Sequence, residues 1–448
     1  MGEDIFAVTL EQTQASSRWD LAHFPTPDRP QAQSASVRAL RAYTSEGEDL
    51  AIEYIGDGAW STPDGQASRL TYQLVADHGE VDWNISAPGK DEVADIIDGT
   101  YVFAGHAFFL IDWELPRCDV TVSFDLPSGW QVVSPWDDRG DHHWVRETWA
   151  LGQNMFGMGP ATPYSTSSGG LDLTWLVDPR LAPIMPTIES ILGDLPAAYT
   201  EFWGEAAGEA YTIFFMADYT SDGGVFYDSF AMRIALPLRS ADQINWSHTL
   251  GHEVMHLWNP IGRTSGRNVP ELEWVIEGFT DYLTLKLMAQ AGYWDTDLLE
   301  QRIANIFRGY YIAGLVETPE SIAQAGYAKG DNWYSVYSAG SLIAMFLDAE
   351  LSQDDPERFA DVMRQLAADR GDGYSFETFM ARFDTLTDGR ASEIYTWIES
   401  RPSNAEYIER MSDAGMDISF FVDEVYVRFP ACDDQRCPPD FLAPPPDL

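Results

Sequence analysis

The sequence predicts an α+β chain of several domains: an antiparallel β domain first, a mixed α+β domain next, and a helical part last. Two observations predict this order. Apolar residues alternate with polar ones up to about residue 175, and from Asn245 onward they recur at a helical period. A length of 448 residues leaves room for more than one core. The expected boundaries are 1–178 for the β domain, 179–315 for the mixed domain, 316–425 for the helical domain and 426–448 for a proline-rich tail.

Within 1–178, "SRLTYQLV" places Leu70, Tyr72 and Leu74 on one face. "DVTVSFD" does the same with Val120, Val122 and Phe124 before "LPSGW" turns the chain. Frequent Gly, Pro, Asp and Ser between such runs predict an antiparallel sandwich or saddle. "STSSGG" at 165–170 reads as a loop, "LDLTWLV" as one more strand, and "DPR" at 178–180 as the boundary. "IMPTIESILGDLPAAYTEFWG" then has helical periodicity, "YTIFFMADY" reads as a strand and "TSDGGVFYDS" as a glycine-containing loop. Further on, "DPERFADVMRQLAAD" buries Phe359, Val362, Met363 and Leu366 behind an Asp355 cap and Pro356. "SFETFMARF" puts Phe376, Phe379, Met380 and Phe383 on one stripe. These helices are core and carry no chemistry. The last twenty residues read as extended or disordered.

The formal net charge is −44, from 71 acidic and 27 basic residues, and only Lys90, Lys286 and Lys329 are lysines. A surface this negative repels nucleic acid and anionic membranes, so neither is an expected partner. It serves solubility, with a preference for cationic substrates as the functional alternative. No apolar run is long enough to span a bilayer, and "MGEDIFAVTL" lacks the pattern of a signal peptide. The compartment stays open between the cytoplasm and a mature periplasmic or secreted form, and oligomeric state is not legible. Cys118 lies in an apolar context; Cys432 and Cys437, five apart, have the spacing to close a small disulfide loop.

The chemistry concentrates in "TLGHEVMHLWNP" at 249–260. His252 and His256, four apart, share a helical face with Glu253 beside them, the HExxH pattern of a zinc site. At this chain's His and Glu frequencies the pattern arises by chance about once in a hundred such sequences. A catalytic zinc needs a third protein ligand and an open position for water. The arrangement with a third histidine six residues on fails, since Asn259 and Gly262 occupy its positions. Glu277 in "LEWVIEGFTDYLTLKLM" meets the alternative, a carboxylate from the next helix. Asp281, four residues later, is placed to accept from a ligating imidazole, with His252 the expected partner. His248, one turn before His252, is expected to support or pack behind the ligands.

These residues resemble the glycyl aminopeptidase family of zinc metallopeptidases, a gluzincin family related to thermolysin. "HEVMHLWN" is similar to its HExxHxWN, and "WVIEGFTDYL" to its third-ligand segment. "YSVYSAGSLIAMFLDAEL" is similar to the helix carrying its transition-state tyrosine, and "SFDLPSGWQVVSP" to a strand–turn of its β domain. The similarity runs patchily from about residue 100 to 420. The resemblance implies a thermolysin-like catalytic domain between the β domain and the helices. It also implies one zinc per chain on His252, His256 and Glu277, Glu253 as general base and Tyr337 as oxyanion donor. Tyr337 is preferred to Tyr327 because only Tyr337 leads into the long apolar helix. A C-terminal PDZ domain, frequent in the family, is not expected.

The sequence departs from the family in three places. "DGGVFYDS" keeps Gly223 and Gly224, but Phe226 stands where the family has the glutamate that binds the substrate amine. Gly223, Gly224, Val225 and Phe226 are still the expected strand-like contact for a peptide, with Asp222 or Asp228 the stand-ins for the missing charge. The basic run after HxWN becomes "PIGRTSGRNVP", leaving Arg263 and Arg267 as candidate substrate contacts. "GYAKG" at 326–330 imitates, ten residues early, the Tyr-x-Lys-Gly signature of related aminopeptidases. The expected activity is removal of small N-terminal residues (Gly or Ala) from peptides. The alternatives are an endopeptidase that needs no free N-terminus and a non-catalytic binding protein on the same fold.

Overall fold

A computed structural model describes residues 4–25, 29–76, 91, 93–115, 118–208, 210–239, 242–259, 261, 263–264, 267–353, 355–369, 371, 373–421, 424–432 and 435–443. The chain forms two compact units. Met1–Thr166, Asp172–Pro186 and Ala210–Arg239 build the first; Ser167–Leu171, Thr187–Glu209 and Ser240–Leu448 build the second.

Up to about residue 160 the first unit is made of antiparallel sheets. One four-stranded sheet runs in the order Ile5–Ser16, Ala67–Val75, Val37–Tyr43 and Asp49–Leu50. Leu70, Tyr72 and Leu74 all face the core, as their alternation predicts. That core is aromatic: Trp19, Phe103, Phe108, Phe109, Trp136 and Phe156 are buried together, with Phe103 and Phe108 edge to face at 4.8 Å. The buried Tyr72 hydroxyl donates to the Phe108 carbonyl at 2.8 Å and accepts from the Leu110 N–H at 3.2 Å, so no polar group is stranded.

A five-stranded sheet follows in the order Tyr164–Ser168, Leu171–Val177, Ala210–Asp218, Ser229–Ala235 and Asp222–Val225. Its centre is parallel and its last strand antiparallel. Three sequence expectations change here. The run at 165–170 is mostly strand, with only Gly169 and Gly170 turning at positive φ. "TSDGGVFYDS" contains a strand, not only a loop. Ala210–Arg239, expected within the mixed domain, pairs into the first unit. All three depend on which strand lies alongside, and periodicity along the chain does not report that. Arg233, buried on Ser229–Ala235, ties the edge strand down. It pairs with Asp91 at 2.5 Å and Asp222 at 3.2 Å, with Asp218 at 3.8 Å, the pairing a buried guanidinium needs.

The second unit is helical: Met185–Trp203, Gln243–Met255, Thr280–Gln290, Thr296–Val316 and Trp333–Ser352, then four shorter helices from Arg358 to Asp413. Trp333–Ser352 is buried on most of its circumference, the behaviour of an apolar helix packed on all sides. Phe359, Val362, Met363 and Leu366 are buried as expected, and so are Phe379 and Phe383; Phe376 and Met380 are only partly covered. In the core, Asp348 accepts from Lys286 at 2.7 Å and from Tyr282 at 2.5 Å. Near the C-terminus, Ala431–Cys432 and Gln435–Arg436 form a hairpin with Cys432 disulfide-bonded to Cys437, in place of an extended tail; 444–448 lie outside the described residues. Cys118 is exposed, contrary to its apolar sequence context. Among the described residues no helix is long and apolar enough to cross a membrane.

Candidate metal centre

His252 lies in the last turn of Gln243–Met255 and His256 caps it. Each turns its Nε2 toward Oε2 of Glu277, at 3.2 Å from His252 and 3.3 Å from His256. With zinc–donor bonds of about 2.0–2.1 Å, neighbouring donors of a tetrahedral site stand roughly 3.3 Å apart. The two imidazole–carboxylate spacings therefore fit a shared zinc ion.

Glu277 belongs to Trp274–Phe279, a π-helical turn running into Thr280–Gln290. Such widened turns are frequent at functional sites. This one packs backbone to backbone on Trp333–Ser352. A Cβ on Gly340 would lie 2.1 Å from the Trp274 carbonyl oxygen, and one on Gly278 would lie 2.5 Å from Gly340 Cα. Only glycine permits that approach, and it carries Tyr337, one turn before Gly340, to the side of His252. The Tyr337 ring lies 5.9 Å from His252, nearly parallel, and stacks on Trp333 at 4.0 Å. Gly340→Ala is expected to destabilise the protein by about 1–3 kcal/mol through overpacking. Denaturant unfolding measures this; unchanged stability would mean the two backbones are not in contact.

Buried acidic and basic side chains are closely coupled around the two histidines. Burial works to lower the pKa of His252, but Asp281, Glu277 and Glu253 outweigh it and hold it at about 10. Burial likewise opposes ionisation of Glu277, yet the neighbouring imidazoles and Lys329 hold its carboxyl well below the usual range. Glu253 Oε2 is 3.9 Å from His256 Nε2, and burial raises its pKa. Tyr337 is pushed well above the ordinary phenol by burial and by Glu277 and Glu253, so its hydroxyl stays protonated.

Asp281 Oδ1 lies 2.5 Å from His248 Nε2 and 3.5 Å from His252 Nδ1, so it supports both rings but is closer to His248 than to the expected His252. Burial and Arg302 lower the His248 pKa to about 4, leaving a neutral ring whose Nε2–H donates to Asp281. Arg302 stands 3.9 Å from the same oxygen.

Sequence reasoning missed three neighbours. Arg302 reaches in from Thr296–Val316. The buried Glu317 carboxylate accepts from the N–H groups of Tyr334 and Ser335 at 2.8 and 2.7 Å, capping the tyrosine helix from a distance. Lys329 pairs with Glu277 and Glu273. No local spacing signals the first two; lysine's rarity in this chain is the signal for the third.

The proposed substrate strand lies in the first unit. Gly223 and Gly224 sit in Asp222–Val225, where a Cβ on Gly223 would meet the Phe230 ring and one on Gly224 the Asp91 carboxylate. Val225 is exposed, while Phe226 is buried in an apolar cluster beside His106. Arg263 and Arg267 lie on a two-stranded hairpin, and their side chains are outside what the structure describes. Tyr327 is exposed, with its hydroxyl on Glu271.

Residues 29–151 match the model of the Peptidase M61 N-terminal domain. No curated protein matches the sequence. Among solved structures, an aminopeptidase N family protein from Idiomarina loihiensis superposes with a TM-score of 0.69 at 16% identity, covering 93% of this chain and 76% of that one. An M1 zinc metallopeptidase from Deinococcus radiodurans gives 0.53 at 15% identity, covering 89% and 90%. A mutant of that enzyme bound to a Tyr-Ser-Ala substrate gives 0.54 at 14% identity, covering 89% and 90%. The fold is similar to that of these M1 zinc metallopeptidases: an antiparallel β domain, a mixed middle and a helical C-terminal part.

Proposed function

We propose that the chain is a zinc-dependent peptide-bond hydrolase holding one zinc on His252, His256 and Glu277. The observation that carries this reading is the meeting of two Nε2 atoms and one carboxylate oxygen at zinc-ligand spacing. A peptide substrate is further supported by the Tyr-Ser-Ala bound to a protein of the same fold. When bound, zinc lowers the pKa of a coordinated water to about 7 and polarises the carbonyl. Glu253 takes the proton of the attacking water and passes it to the leaving amine as the C–N bond breaks. Tyr337 donates its hydroxyl to the developing oxyanion. Asp281 holds the His252 ring with Nε2 outward.

The resemblance points to an aminopeptidase acting on small N-terminal residues, Gly or Ala. A specific observation favours the endopeptidase reading. Phe226 is buried and uncharged, and Asp222, one of the two stand-ins, is engaged by Arg233. The combination of ligands, base and tyrosine argues against a silent binding protein.

Zinc uptake tests the site. His252, held at about 10, carries a proton at neutral pH and must shed it to bind metal. Uptake is therefore expected to release about one proton near pH 7, with apparent affinity rising with pH. Calorimetry in buffers of different ionisation heat measures this. Chelation should abolish hydrolysis; protein that takes up no stoichiometric zinc would overturn the reading.

A further inference from the structure

Lys329 is one of three lysines in a chain with 71 acidic residues. Its Nζ lies 2.7 Å from Glu277 Oε1 and 3.1 Å from Glu273 Oε2. The two oxygens of Glu277 thus serve different partners: Oε2 faces the imidazoles, Oε1 the ammonium. Both glutamates are buried, while the lysine side chain keeps 33% of its surface exposed. The segment carrying it is braced. A Cβ on Gly326 would lie 1.8 Å from the Pro270 carbonyl oxygen, so the Gly326–Ala328 turn sits directly on the residues leading to Glu273. The Tyr327 hydroxyl donates to Glu271. The Asn332 backbone and side-chain N–H groups both donate to the Ala328 carbonyl at 3.1 Å.

A hydrolase that requires a free N-terminus must pair the substrate's ammonium with carboxylates, because an unpaired charge is costly in a water-poor site. A lysine ammonium is the same chemical group. Around the ligands of the second unit, Asp281 is engaged by His248 and has Arg302 nearby, and Glu253 faces His256. Glu273 and the outer oxygen of Glu277 already share Lys329. A second ammonium brought to them would meet a like charge.

We propose that Lys329 fills, from within the chain, the anionic pocket beside the metal ligands, so that peptide-bond cleavage does not depend on a free substrate N-terminus. The inference rests on the zinc hydrolase reading and names its substrate class: internal or N-acylated peptide bonds as well as free-ended ones. Lys329 is a specificity-determining residue here, not a catalytic one.

The test compares one peptide with a free and an acetylated N-terminus. Wild-type protein is expected to cleave both with similar kcat/KM. Lys329→Met, with zinc content checked, is expected to shift the ratio toward the free peptide by about tenfold or more, since a released carboxylate pair gains a charge-assisted partner. Lys329→Arg, which keeps the cation, should keep the wild-type ratio. An unchanged ratio in zinc-loaded Lys329→Met overturns the proposal. So does wild-type protein that leaves the acetylated peptide uncut, an outcome that decides the matter even if the methionine variant does not fold. Wild-type protein that binds no zinc and cleaves neither peptide overturns the hydrolase reading itself.

Discussion

Glu253→Gln is expected to lower kcat by about 10²–10⁴-fold while leaving zinc content, fold and KM near their wild-type values. Glu253 is adjacent in sequence to His252, yet it lies outside the set of three donors that meet at Glu277 Oε2. Its own Oε2 lies 3.9 Å from His256 Nε2 and its side chain is mostly buried. Burial raises its pKa, which brings the carboxyl closer to the range in which it both takes and returns a proton. Glutamine has nearly the same shape and still accepts hydrogen bonds, but it cannot carry that proton. Steady-state kinetics on a fluorogenic peptide, with metal analysis on the same sample, read the two effects separately. Lost zinc would make Glu253 part of the metal's support. Full activity with bound zinc would remove it from the chemistry and sink the general-base mechanism.

What the sequence made legible at this site is what local spacing encodes. Two imidazoles four residues apart share a face in any helix, so His252 and His256 were readable without a fold. Glu277 was readable because it stands in the next segment of helical character, which resembles the family's third-ligand run. The π-helical turn that aims it was not, since apolar periodicity does not separate a widened turn from an ordinary one. Asp281 stands beside both His248 and His252, and its division between them depends on how two helices pack. Arg302, Glu317 and Lys329 come from segments 25 or more residues beyond Glu277, and only the tertiary fold brings them in. The same limit holds for the fold. The β-then-α order follows from periods of two and 3.6, whereas the pairing of Ala210–Asp218 between Leu171–Val177 and Ser229–Ala235 is non-local. Phe226 was informative in a different way: a missing charge needs no geometry to be noticed.

Tyr337→Phe is expected to reduce kcat by about 10²–10³-fold with little change in KM, the pattern of a group whose bond is made only in the transition state. The substitution removes one hydroxyl and leaves the ring held as before. Trp333 covers one face at 4.0 Å and His252 lies beyond at 5.9 Å. The helix beneath is fixed at its N-terminus by Glu317 on the N–H groups of Tyr334 and Ser335, and at its middle by the Gly278–Gly340 contact. Because burial and the neighbouring carboxylates keep the phenol protonated, its contribution as a donor should not titrate away through the alkaline range near pH 10, where an ordinary tyrosine ionises. Wild-type and variant are therefore expected to keep a constant rate ratio up to that pH. A ratio that collapses toward one as pH approaches 10 would mean that the tyrosine ionises like a free phenol. A kcat unchanged at neutral pH would mean that another donor meets the oxyanion and that Tyr337 serves packing alone.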